Sequence, residues 1–126
     1  MKIQNFIGGQ MVPPSTEEYL DSINPATGQV LAQVPRSNAQ DVEKAFQAAK
    51  QAFPMWSEWP KEKRSACLMK LADLIEANLS RLAEAESQDN GKPVWLAEMI
   101  DIPRAAKNFR FYATAVLHEH SEFHAM

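Results

Sequence analysis

The apolar residues of this chain change period once, near Pro35, and never change back. Before that point they alternate as in strands, whereas after it they recur at helical spacing. Val30, Ala32 and Val34 face one way, Leu31 and Gln33 the other, and Tyr19 to Ile23 is a matching run. Between them lies SINPATGQV, whose Asn-Pro start and Thr-Gly finish read as a tight turn, because Pro fixes φ and Gly accepts φ > 0. Ile3 to Pro13 reads as a short strand or hairpin turning at Gly8-Gly9. The result is a β-ribbon over about residues 3–35 with no later strands to pair with it. A ribbon of this kind is only marginally stable alone.

Helices fill the rest. Ser37 or Asn38 supplies a side-chain cap, and Asp41 places negative charge at the positive end of a helix over about 38–53. Its stripe is Val42, Ala45, Phe46, Ala49 and Phe53, and Pro54 ends it. Pro60 opens a second helix over about 60–89, with Leu68, Leu71, Ile75, Leu79 and Leu82 on one face. Asn78 and Ser80 are cap-like residues in its middle, which allows two helices with a kink. Gly91 stops it and Pro93 follows. A third helical region spans about 94–119, with Asp101 as a cap, Pro103 in a first turn, and Ala106, Phe109, Tyr112, Ala113 and Val116 as the buried stripe. The fold expected is mainly α-helical with an N-terminal β-ribbon, an incomplete domain whose ribbon needs a partner from elsewhere. The last residues, SEFHAM, contain no helix stop.

A chain of 126 residues with 45% hydrophobic side chains has room for one core. Its net charge of −3 is spread along the sequence, which argues against a nucleic-acid surface or an anionic-membrane patch and leaves small polar partners open. Cys67 is the single cysteine, so no intrachain disulfide forms, and MKIQNFIGG has no apolar run of secretory type. A reducing, cytoplasmic compartment is expected. No apolar stretch is long enough to cross a bilayer.

Several residues invite a chemical reading. In the cluster His118, Glu119, His120, Glu122 and His124, only His120 and His124 lie one helical turn apart, so a metal site would need ligands from further away. A solvated helix end is the stronger reading. Cys67 has no histidine nearby in sequence and reads as a half-buried packing residue rather than a nucleophile. Trp56 and Trp59 flank Pro60 and read as packing, and Phe109, Phe111 and Tyr112 as core with a rim residue. None of G-x-G-x-x-G, G-x-x-x-x-G-K-[ST] or G-x-S-x-G occurs, and Gly8-Gly9 precedes no helix and so cannot cradle a phosphate. Asp89, in QDNG, sits where a helix end leaves carbonyls unpaired. Carbonyls with a carboxylate suit a hard cation, but from the residues alone an ordinary Asx turn is the stronger account.

FIGGQMV, INPATGQVLAQVP, AAKQAFPMWSEWP, KRSACLMKLADLIEANLSRLAEAESQDNGKP and NFRFYA, in this order, resemble the opening of an NAD(P)-dependent aldehyde dehydrogenase over nearly the whole chain. MIDIPRAAKNFRFYATAVLHEHSE further resembles the branch acting on 2-aminomuconic or 2-hydroxymuconic semialdehyde. The resemblance implies an α/β parent with a Rossmann-type NAD-binding domain, of which residues 1–126 form the N-terminal portion and whose later strands partner the ribbon. It also implies a Na⁺ or K⁺ ion near the INPATGQV turn, held by the backbone carbonyls of Ser22 and Ile23 and by Asp89.

In that family a cysteine thiolate attacks the aldehyde, hydride passes to NAD, a glutamate activates water and an asparagine stabilises the oxyanion. None of these matches a residue here, and Cys67 does not fit the nucleophile's motif. The expectation is an N-terminal fragment of an enzyme that oxidises a small aldehyde to a carboxylic acid, inactive in isolation, with the remainder of the enzyme or a homologous subunit as partner. A stand-alone helical interaction module derived from such an enzyme, which would melt cooperatively as a monomer or small oligomer, is the alternative. A zinc-binding helical protein using His120 and His124 is a third.

Overall fold

The structure, a computed structural model, describes residues 1–118. The ribbon expected over about 3–35 resolves into two separate antiparallel pairs. Strands β1 (Asn5–Ile7) and β2 (Gln10–Val12) form a hairpin with Asn5 opposite Val12 and Ile7 opposite Gln10. Its two turn residues, Gly8 and Gly9, have φ of +59° and +82°. Two left-handed residues in succession make a turn whose twist matches the strands, and glycine adopts it without steric cost.

Strands β3 (Tyr19–Ile23) and β4 (Val30–Pro35) pair from Tyr19 opposite Pro35 to Ser22 opposite Ala32. A bulge then shifts the register so that Ile23 faces Val30. The chain start runs parallel to β4, with Ile3 N donating to Gln33 O at 2.8 Å and Gln33 N to Met1 O at 2.9 Å.

Helix α1 (Ala39–Glu58) runs past the expected end at Phe53, with Pro54 inside it. Proline forfeits one backbone hydrogen bond but does not prevent the residues after it from making theirs. Ser57 Oγ donates to the Pro54 carbonyl at 2.9 Å in the last turn. The helical stretch read over about 60–89, in which Asn78 and Ser80 allow a division, is two helices, α2 (Lys61–Ala77) and α3 (Leu79–Asn90). Asn78 separates them at φ −112°, ψ 21°, its side-chain amide donating to Leu74 O at 2.8 Å. This is the competition between a short polar side chain and the helical ladder that makes asparagine a helix breaker.

The helical region expected over about 94–119, with a break at Asp101-Ile102-Pro103, begins with α4 (Val94–Leu96), widens into a π-turn at Ala97–Asp101 and continues as α5 (Ile102–Ala115) and a 3₁₀ turn at Val116–His118. Asp101 is not a cap. Its backbone is helical, it makes no capping bond, and its carboxylate pairs with Arg104 at 2.7 Å. The wider turn moves the carbonyl that the ring of Pro103 would otherwise strike.

The chain divides into two compact units: Met1–Glu58 with Ala85–Lys92, and Trp59–Glu84 with the chain from Pro93 on. In the first, Ala32, Pro14 and Asp41 are buried. In the second, Ala72, Ala83, Ala97, Ala106 and Ala113 are buried with Ser65. Small side chains let α2 and α5 approach closely. The guanidinium of Arg110 then binds α2 from α5, bidentate to Glu76 at 2.8 Å on both oxygens and to Asp73 at 2.6 Å.

Larger apolar side chains point outward. The α1 stripe lies in solvent, with Val42 66% and Phe53 64% exposed, as does Phe6 on β1 at 69%. On α5, Ala106 and Ala113 are buried, whereas Tyr112 is exposed and meets exposed Phe111 edge to face at 5.2 Å. The fully buried core is made of small residues, while many large ones are only half-buried or exposed, as in a partial domain. Among the described residues no helix is long and apolar enough to cross a membrane.

Candidate functional site

The β3–β4 turn is held by its own side chains. Asn24 Oδ1 accepts from Ala26 N at 2.9 Å across Pro25, and Asn24 O accepts from Thr27 N at 3.2 Å and Gly28 N at 2.8 Å. Thr27 Oγ1 accepts from Gln29 N at 3.3 Å, and Gly28 turns the chain at φ +72°. Four of the five residues of NPATG therefore have a conformational role: Asn24 as an Asx cap, Pro25 with a fixed φ, Thr27 as a hydroxyl acceptor and Gly28 as a left-handed exit.

The end of α3 belongs to the same unit and meets this turn. Gly91 N donates to Ser87 O at 2.8 Å and Gly91 has φ +79°, the left-handed stop of a helix. A Cβ on Gly91 would stand 2.8 Å from Pro25 Cγ. Ser87 Oγ donates to Lys92 O at 2.6 Å, and Lys92 Nζ pairs with Glu86 at 3.2 Å, which fixes the exit from the helix.

Of the expected cation ligands, Ser22 is half-buried on β3 and Ile23 is exposed beside it, with the register shift between them. Asp89 lies within the last turn of α3 and is exposed, not in a free turn after the helix. The Asx turn belongs to its neighbour, because Asn90 Oδ1 accepts from Lys92 N at 2.9 Å. The helix ends at Asn90, within a residue of the boundary read from sequence, and the left-handed residue that stops it is Gly91 as expected. Among the described residues no group of three or more His, Cys, Asp or Glu is placed to hold a metal ion.

A second polar cluster escaped the sequence reading. Asp41 is buried, and its carboxylate accepts from Ser15 Oγ at 2.5 Å, Ser15 N at 3.0 and 3.2 Å, and Asn38 N at 3.0 Å. Asn38 is the cap: its Oδ1 accepts from Gln40 N at 2.9 Å and Asp41 N at 3.3 Å, a reciprocal capping box. Ser37 instead donates to Asn5 Oδ1 at 3.0 Å. The Ser15 hydroxyl, then the Asn38 amide, and after them the Ser15 amide and the Lys44 charge, hold Asp41 below its ordinary carboxylate value, against desolvation pulling it up. Lys44 Nζ reaches the same hydroxyl at 2.8 Å. Every oxygen of this carboxylate is used in fixing two chain segments together, so the cluster is structural.

Cys67 is exposed on α2 and not half-buried, because it shares a helix face with Leu71 and Leu74, which are exposed themselves. Lys63 Nζ stands 3.6 Å from the centroid of the half-buried Trp59 ring, a cation–π contact that supports the packing reading of that tryptophan. His118 closes the described chain and is exposed. Glu119, His120, Glu122 and His124 lie outside the described residues.

A concavity of about 370 Å³ on α5 is lined by Ala105, Asn108, Phe109 and Tyr112. It offers no nest of backbone amides for a pyrophosphate. Gly8 and Gly9 close a hairpin instead of leading into a helix, so this glycine pair forms no phosphate cradle.

The aldehyde dehydrogenase family model matches residues 11–126. The 2-aminomuconic semialdehyde dehydrogenase of Bos taurus is 49% identical over 122 residues, which is 97% of this chain and 25% of that protein. Among solved structures, an indole-3-acetaldehyde dehydrogenase in apo form superposes with a TM-score of 0.94 at 32% identity, over 98% of this chain and 29% of that one. PnpE in complex with nicotinamide adenine dinucleotide superposes with a TM-score of 0.88 at 35% identity, over 90% of this chain and 23% of that one. The chain thus spans about a quarter of the length of the curated relatives it matches.

Proposed function

Because the chain belongs to the aldehyde dehydrogenase family, we propose that it forms the N-terminal portion of the NAD-binding domain of an enzyme that oxidises a small aldehyde to a carboxylic acid with NAD⁺. A muconic semialdehyde is the substrate class best supported, because the Bos taurus relative of that name aligns along 97% of the chain. The observation that carries the reading is the pair of two-stranded sheets beside an uncovered apolar helix face. Such elements serve as one layer of a larger α/β domain. The remainder of the enzyme, or a homologous subunit, is the partner, and the cytoplasm the compartment.

The 126 residues by themselves then have no dehydrogenase activity, since Cys67 is a surface residue of α2 and no dinucleotide cradle is formed among the described residues. NAD⁺ reduction by the purified chain, assayed with 2-hydroxymuconic semialdehyde and simpler aldehydes, is expected to stay at background. Turnover that survives Cys67→Ala would overturn the reading.

The same proposal assigns a Na⁺ or K⁺ ion to the carbonyls of Ser22 and Ile23 and the carboxylate of Asp89. Its support is the contact of Gly91 with Pro25, which draws the end of α3 to the turn, and an all-oxygen donor set suited to a hard cation. Thermal melting in KCl or NaCl is expected to exceed that in choline chloride of equal ionic strength, and Asp89→Asn to remove the difference. An undiminished difference in Asp89→Asn would refute the assignment.

A further inference from the structure

No further inference is drawn: the strongest candidate, the apolar groove between the β1–β2 hairpin and α1 lined by Phe6, Ile7, Ala45, Ala48, Ala49 and Ala52, carries nothing because nothing in the structure shows what covers it.

Discussion

Gly91 is the residue on which the first unit depends most visibly. Its φ of +79° and the 2.8 Å approach of a hypothetical Cβ to Pro25 are two separate demands for glycine. Gly9 makes only the first demand, since at φ +82° nothing lies within 4 Å of its added Cβ. Gly9→Ala is therefore expected to cost about 1 kcal/mol, the conformational penalty alone. Gly91→Ala adds overpacking and is expected to cost about 2–4 kcal/mol. Urea midpoints measured side by side check this, and equal losses would show that the Pro25 contact is soft. The turn roles of Gly8, Gly9 and Gly28 were legible because a turn is a local event with a local composition. The meeting of Gly91 with Pro25 joins residues far apart in sequence, and no periodicity encodes it.

At the scale of elements, sequence reading succeeded where a boundary has a local chemical cause. Asn78 divides α2 from α3 through its own side chain, as its cap-like character suggested. It failed where the boundary is decided by geometry elsewhere. Pro54 sits inside α1, and the π-turn at Ala97–Asp101 has no hydrophobic period by which to be recognised. The joint between the β2–β3 connection and α1 belongs to the same group. Asp41 announced itself as a first-turn acid, but its partner Ser15 lies 26 residues away.

This joint should respond to acid. Because the folded state holds Asp41 below its unfolded value, its stabilisation is fully present above the unfolded pKa of about 4 and is lost as pH falls through the lower folded value. Asp41→Asn is expected to flatten the acid side of the stability profile below about pH 4 while lowering stability at neutral pH. Measuring melting temperature against pH for both proteins checks it, and an unchanged acid slope would exclude Asp41 as a contributor.

For the whole molecule, the decisive quantity is apolar surface left in water. Phe6, Val42, Phe46 and Phe53, all in the first unit, are each more than half exposed. Burying a side chain of this size stabilises by about 1.5–3 kcal/mol. Four of them together approach the 5–15 kcal/mol that typically separates a folded domain from its unfolded chain. Each is already partly buried, so cover for this face recovers part of that sum, still a sizeable share of a domain's stability, which favours a layer of a larger fold over a self-sufficient module. The shortage of strands was legible at once in the change of period at Pro35. The family was legible in the NPATG and DNGKP stretches, which turn out to be conformational devices. Chemistry was not legible because these residues build turns, caps and helix faces.

Fluorescence of an apolar-surface dye during thermal melting of the isolated 126-residue chain tests the need for cover most directly. Strong dye enhancement before any unfolding, reduced when Phe46 and Phe53 are both replaced by serine, is predicted. Cooperative melting with no dye bound to the folded chain would contradict it and establish a self-sufficient domain.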